Sequence, residues 1–417
     1  MYTEITRCRL SGSSQLLPVL DLGNQHLTGV FPRTPHESVA SGPLQLVFCP
    51  DGGLVQLKQS YSLEQMYGSN YGYRSGLNQS MVAHLNRIAN DLTDLVELAP
   101  GDTVVDIGSN DGTLLGAYRK DGPSFIGIDP SAEKFRRFYR KDAQLVVDFF
   151  SAAVFNRHFP GRRAKIVTSV AMFYDLENPV QFARDVATVL ASDGVWHFEQ
   201  SYMPLMLERD AYDTICHEHL EYYALSQIKR ITDRAGLKIL SVTFNDVNGG
   251  SFAVTAAREM APYAGDHKLV QEIIATERAQ RLDTIDPYLA FRGRVQRHRQ
   301  ELTKLVRKLN AGGSTVAGLG ASTKGNTLLQ YCGFTPTDIS FISEVNPDKF
   351  GCYTPGTLIP IISDTDRATR RADYMVVLPW HFRESIIERE REFISRGGRL
   401  IFPLPKIQIV SAEGVLV

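Results

Sequence analysis

Two stretches far apart in the chain, VVDIGSNDGTLLGAY from Val104 and VAGLGASTKGNTLLQYCG from Val316, each run an apolar strand into a glycine turn and then a helix. That succession commits a chain to parallel strands joined by right-handed crossovers, because a strand feeding a helix packs back onto its sheet in one hand. Further apolar runs follow each one. SFIGID, KIVTSVAM and VWHFEQ come after the first, and DISFISE, DYMVVLP and RLIFPLP after the second. The pattern predicts an α/β protein with two Rossmann-like domains. At 417 residues and 43% hydrophobic, the chain has length and core enough for both.

The boundaries follow from where the pattern changes. Residues 1–80, rich in Gly, Ser, Pro and Tyr, read as a small β-rich module. Residues 81–265 form the first α/β domain, closed by KILSVTFND and GGSFAVTAA. Residues 266–417 hold a charged helical connector, interrupted by Pro287, and the second Rossmann-like domain. A net charge of -1 without a basic run argues against nucleic acid or an anionic membrane as partner. No stretch approaches the ~18 apolar residues of a spanning helix. The N-terminal MYTEITRCRLSGSSQLL lacks the apolar core of a signal peptide, and five scattered cysteines suit a reducing compartment. The expected location is the cytoplasm.

In the first glycine loop, Gly108 and Gly112 let backbone approach a ligand, and Asn110 and Asp111 stand where the helix begins. Asp129, about twenty residues on, ends the second strand and can accept bonds from both hydroxyls of a ribose. Asp148, Phe149 and Phe150 end the third, suited to an adenine amine and ring face. A dinucleotide site would want G-x-G-x-x-G. From Asp106 this loop reads D-x-G-x-N-D-G instead, and acidic and amide side chains suit a cationic ligand with an amino-acid tail. That is the profile of S-adenosylmethionine, with S-adenosylhomocysteine as product.

Five motifs in order, VVDIGSNDGTLL, DTICHEHLEYY, VNGGSF, AGLGASTKGNTLLQYCG and VNPDKFGCYTPGTLIPI, make the chain resemble bacterial nucleotide-sugar C-methyltransferases that act at C-3 of keto-deoxysugars. The resemblance implies an N-terminal zinc module, a central methyltransferase domain and a C-terminal Rossmann-like domain. It implies a nucleotide-linked 4-keto-6-deoxyhexose as substrate. It also assigns Glu218 and His219 as the acid/base pair, and imidazole, which titrates near working pH, favours His219 as base. A tyrosine from YGSNYGYRSGLNQS, Tyr71 or Tyr73, would face the sugar. Asn248, Gly249 and Ser251 would hold sugar hydroxyls, and Ser322, Lys324 and Asn326 would contact the nucleotide or its pyrophosphate, with Pro355–Thr357, Trp380 and His381 as neighbouring walls.

The chain departs from that pattern in three places. Of the two C-x-x-C pairs, CRLS and CPDG keep Cys8 and Cys49, but Ser11 and Gly52 replace the other thiols, so structural zinc is not expected. Cys216 stands where relatives carry tyrosine. SVAMFYDLENP lacks a histidine found there in some relatives. Alternatives on the residues are O- or N-methylation of a sugar or small metabolite, a non-catalytic nucleotide-binding scaffold, and an NAD enzyme using Glu344 as ribose acid. Three packed domains would suffice as a monomer.

Overall fold

The computed structural model describes residues 2–62, 66, 74–119, 121–366 and 371–416. Tyr71 and Tyr73 lie outside the described residues.

The central sheet has seven strands in the order Leu237–Asn245, Ser251–Arg258, Leu190–Ser201, Ala164–Val170, Thr103–Ile107, Ser124–Ile128 and Gln144–Val146. Ser251–Arg258 runs antiparallel to both neighbours, and the other pairings are parallel. All five residues of Thr103–Ile107 are buried, as an inner parallel strand covered on both faces requires. The helix Gln79–Val96 turns Met81, Leu85, Ile88, Leu92 and Val96 inward, one stripe at helical spacing, and Asn78 caps it by accepting the Ser80 N–H. Thr103–Ile107 lies between the second strand of the domain and the fourth, so crossovers diverge on either side of it. A crevice opens at the carboxyl ends of strands at such a point.

The second sheet repeats this logic. Its order is Ile361–Ser363, Ile342–Glu344, Val316–Leu319, Tyr374–Val377, Arg399–Phe402, then two antiparallel strands, Gln408–Ser411 and Gly414–Val415. Two helices connect the sheets, His267–Ala279 and Asp286–Ala311. Pro287 sits in the first turn of the second, where its missing N–H costs nothing. That helix buries Tyr288, Phe291, Val295, His298, Leu302 and Val306 along one face.

The N-terminal sheet is antiparallel, Leu17–His26, Ser41–Cys49 and Leu54–Leu57, and its fourth strand comes from the middle of the chain: Glu221–Tyr222 pairs with Gln56 and Val55. The four positions of the C-x-x-C pattern do converge. Ser11 Oγ is 3.4 Å from Cys49 Sγ, and a Cβ on Gly52 would stand 2.9 Å from Cys8 Sγ and 3.6 Å from Cys49 Sγ. Two thiols, a hydroxyl and a missing side chain do not fit structural zinc, and the core formed by Leu10, Leu46, Phe48 and Leu54 surrounds them instead. Gly52 has no left-handed backbone, so a side chain there is conformationally permitted. The double substitution Ser11→Cys, Gly52→Cys should therefore gain one zinc per chain by elemental analysis. Its melting temperature should rise by roughly 5 °C, a gain that a chelator removes.

Candidate active site

At the carboxyl ends of the central strands lies a cavity of about 290 Å³. Gly108, with φ of 70°, turns the chain left-handed under it and sends its N–H to the Ile128 carbonyl at 2.9 Å. Asp129, almost buried on the wall, accepts from the Asn110 N–H at 2.8 Å and from the Ser131 N–H and hydroxyl at 2.6 Å each. Those donors fix both carboxylate oxygens in place, and each oxygen retains acceptor capacity. Asp106 accepts the Thr168 hydroxyl at 2.6 Å, and burial, helped by the charge of Asp129, pushes its carboxyl up to about 7. Asp148 and the half-exposed Phe149 line the same cavity, and Phe150 is braced edge-on against Phe182 with centroids 5.3 Å apart.

Carboxylates among apolar walls could hold a ligand carrying positive charge, a hydroxylated sugar and an aromatic base. Asp111 and Gly112 do not line the cavity. The Asp111 carboxylate takes the Gly76 N–H at 3.0 Å and the Thr113 hydroxyl at 2.6 Å, with Arg74 at 3.6 Å, which ties the preceding segment across the loop. Gly112, with φ of 75°, makes room for the Tyr139 ring, 2.6 Å from where its Cβ would be. The sequence reading also passed over Ser75, Met81, Leu85, Met172 and Glu177, which complete the walls. Only the inward stripe of the helix at Met81 and Leu85 carried a sequence signal for any of them.

The 212–223 segment is wedged between all three parts of the molecule. His217 donates from Nε2 to the Gln25 carbonyl at 3.1 Å and meets Tyr61 edge-on, so it anchors the N-terminal sheet. Glu221 is buried in that sheet, 3.7 Å from Arg9. Asp213 accepts the Trp380 indole N–H at 2.7 Å, and the Thr327 hydroxyl donates to the Ile215 carbonyl at 3.1 Å. His219 packs on Tyr174, at 4.3 Å between ring centroids, and the turn that carries Tyr174 continues into Asp175, Leu176 and Glu177 on the cavity wall. Its Nδ1 lies 2.7 Å from the Thr214 carbonyl. A carbonyl only accepts, so the proton is on Nδ1 and Nε2 carries the lone pair. Burial, and after it the Lys324 ammonium, lowers His219 to about 3, so the ring is neutral at working pH. Burial pushes Glu218 the other way, up to about 7.

In the C-terminal glycine loop the expected contact residues also make structural hydrogen bonds. Ser322 caps the helix Thr323–Cys332 by accepting the Gly325 N–H at 3.0 Å. Asn326 is buried and donates to the Thr28 carbonyl of the N-terminal module at 2.8 Å. Ser251 is buried too, its hydroxyl closing its own turn onto the Val247 carbonyl at 2.9 Å. Glu344 accepts three backbone N–H groups, from Ala321, Val345 and Asn346. Lys324 reaches out of its domain and donates to the Asn248 carbonyl at 2.6 Å, while Gly249 sits against the Trp380 ring.

Family models match end to end: one for a methyltransferase domain over residues 78–242, one for a C-methyltransferase C-terminal domain over 246–405, and one named for zinc binding over 8–67. C-methyltransferase NovU of Streptomyces niveus is 33% identical over 421 aligned residues, which span 99% of this chain and 98% of that protein. The chain belongs to the C-methyltransferase family. This C-methyltransferase is thus an S-adenosylmethionine-dependent enzyme that places its methyl on carbon. Among solved structures, an O-methyltransferase family protein from Burkholderia thailandensis is 16% identical over 44% of this chain and 58% of that one, at a TM-score of 0.34. An S-adenosylmethionine-dependent methyltransferase from Clostridium acetobutylicum is 14% identical over 42% of this chain and 92% of that one, also at 0.34. Among the described residues no helix is long and apolar enough to cross a membrane.

Calorimetric titration with S-adenosylhomocysteine checks the assignment of the cavity. Asp129→Ala should weaken binding at least about tenfold, the loss of a charged hydrogen-bonding partner. Asp106 is largely protonated below about 7 in the free enzyme, and a bound ammonium favours its ionised form. Affinity should therefore fall as pH drops through 7, and Asp106→Asn should flatten that dependence.

Proposed function

We propose that this C-methyltransferase acts on a nucleotide-linked keto-6-deoxysugar, at C-3 beside a C-4 ketone, in branched-chain sugar biosynthesis in the cytoplasm. The five-motif resemblance supports the substrate class, and five free cysteines suit a reducing compartment. The observation that carries the chemistry is the open Nε2 of His219. The Thr214 carbonyl holds the ring in the tautomer that can take a proton, next to the wall of the methyl-donor cavity.

When bound, S-adenosylmethionine supplies an electrophilic methyl on a positive sulfur. His219 Nε2 takes the C-3 proton, and the C–H electron pair becomes the carbon–carbon double bond of an enolate. That carbon then bonds the methyl, the C–S pair stays on sulfur, and the ketone re-forms. Glu218, more basic than His219 in this site, is where the proton comes to rest before leaving. A second reading makes Glu218 itself the base, favoured by a carboxyl pushed to about 7, near the ideal for proton transfer at working pH.

Exchange of the substrate's C-3 proton into deuterated water, followed by NMR with S-adenosylhomocysteine bound, separates the two. On the first reading His219→Asn loses exchange and roughly 10²–10⁴ in kcat while S-adenosylhomocysteine affinity is kept. On the second, Glu218→Gln loses exchange, His219→Asn keeps it, and the wild-type rate falls about tenfold per pH unit below 7.

A further inference from the structure

Removing a proton next to a ketone puts a negative charge on the carbonyl oxygen, and the site must hold it with something besides the base. Among the described residues, Lys324 is a cation that reaches toward that place from the far domain. Lys324 follows the helix-capping Ser322 and lies one turn before Thr327, on the same face of the helix Thr323–Cys332. Thr327 fixes that face against the catalytic segment through the Ile215 carbonyl. Lys324 itself crosses to the central domain, where its Nζ meets the Asn248 carbonyl at 2.6 Å. Asn248 is held there in a left-handed turn, with φ of 55°. Around the same cleft stand Gly249, Trp380 and Asp213, the last engaged by the indole N–H.

No carboxylate lies within salt-bridge distance of Lys324 among the described residues, although Asp213 acts on it through its charge, and the hydrogen bond it makes is to a neutral carbonyl. An ammonium has three donors, so two remain for a ligand. Its counter-charge is the buried Asp213, whose carboxylate is itself engaged by the Trp380 indole, so the ammonium keeps donors for a group that becomes anionic. The residue as a whole is partly exposed. It also bears on His219 directly, since its charge is the second cause of that ring's lowered basicity.

We propose that Lys324 is a catalytic residue that stabilises the enolate oxygen, rather than a binder of the substrate's diphosphate. This rests on the C-methylation of a keto-sugar proposed above. The ammonium stays protonated throughout: it donates to the ketone oxygen, strengthens that bond as negative charge develops, and relaxes when the ketone re-forms. Its cost in weakening His219 is recovered because the charge it faces appears in the transition state and not before.

The test uses the full-length enzyme with dTDP-4-keto-6-deoxyglucose as probe and S-adenosylhomocysteine bound, reading C-3 proton exchange by NMR beside kcat and KM for methylation. Lys324→Gln keeps a donor for the Asn248 carbonyl and drops the charge, and Lys324→Arg keeps the charge. Lys324→Gln is expected to lose roughly 10²–10³ in kcat and in exchange rate. Its KM for the sugar nucleotide should change by less than about threefold, its S-adenosylhomocysteine affinity and melting temperature should hold, and Lys324→Arg should recover part of the rate. A Lys324→Gln enzyme that exchanges at the wild-type rate at saturation, with KM raised tenfold or more, makes Lys324 a diphosphate contact and overturns the proposal alone. No exchange in the wild type overturns the keto-sugar reading, and the role of Lys324 falls with it.

Discussion

Burial of the 212–223 segment is the constraint on which the three parts of this enzyme depend. It carries histidines and carboxylates out of water, and each such group costs several kcal/mol unless it finds a partner. No single domain supplies enough of them. Gln25 in the N-terminal sheet takes His217, and Trp380 and Thr327 in the C-terminal domain take Asp213 and the Ile215 carbonyl. In the connector helix, His298 accepts from the Tyr212 hydroxyl at 3.2 Å and donates to the Pro403 carbonyl at 2.6 Å. The segment meets these partners only when all parts are assembled.

The two glycine loops share a local grammar and diverge in use. In the first, left-handed Gly108 and Asn110 turn the backbone beneath an open cavity, and carboxylates are left on its walls. In the second, the helix cap and the acceptor Glu344 hold the loop itself, while Asn326, Thr327 and Lys324 reach out to other parts of the molecule. The difference lies in what is packed above each turn. The first faces the crevice at the strand ends, while the second is covered by the N-terminal module and the 212–223 segment. The N-terminal sheet in turn gains a strand, Glu221–Tyr222, from the middle of the chain.

Much of this could be read from the chain alone. The strand–turn–helix runs, the β-rich start and the carboxylates Asp129 and Asp148 are local features, set by period, glycine placement and spacing along the backbone. So is the presence of Ser11 and Gly52 where the C-x-x-C pattern would carry cysteines. The sequence also named His219 and Glu218 as a pair, but by resemblance, since nothing in HEH says which ring faces a substrate and which faces a carbonyl.

What only the tertiary structure decided is the division of labour among residues of equal local promise. Asp111 and Gly112 belong to the packing of the loop, Ser322 to a helix cap, and Asn326 and Ser251 to buried ties. His217 and His219, two residues apart, point to different parts of the molecule. The reason is that partners and desolvation come from elements distant in sequence: Thr214 fixes a tautomer, burial separates Glu218 from His219 in basicity, and a lysine from the far domain places its charge beside them. Sequence determines which groups are available and which local shapes carry them; the fold determines which are consumed in holding it together and which are left to react.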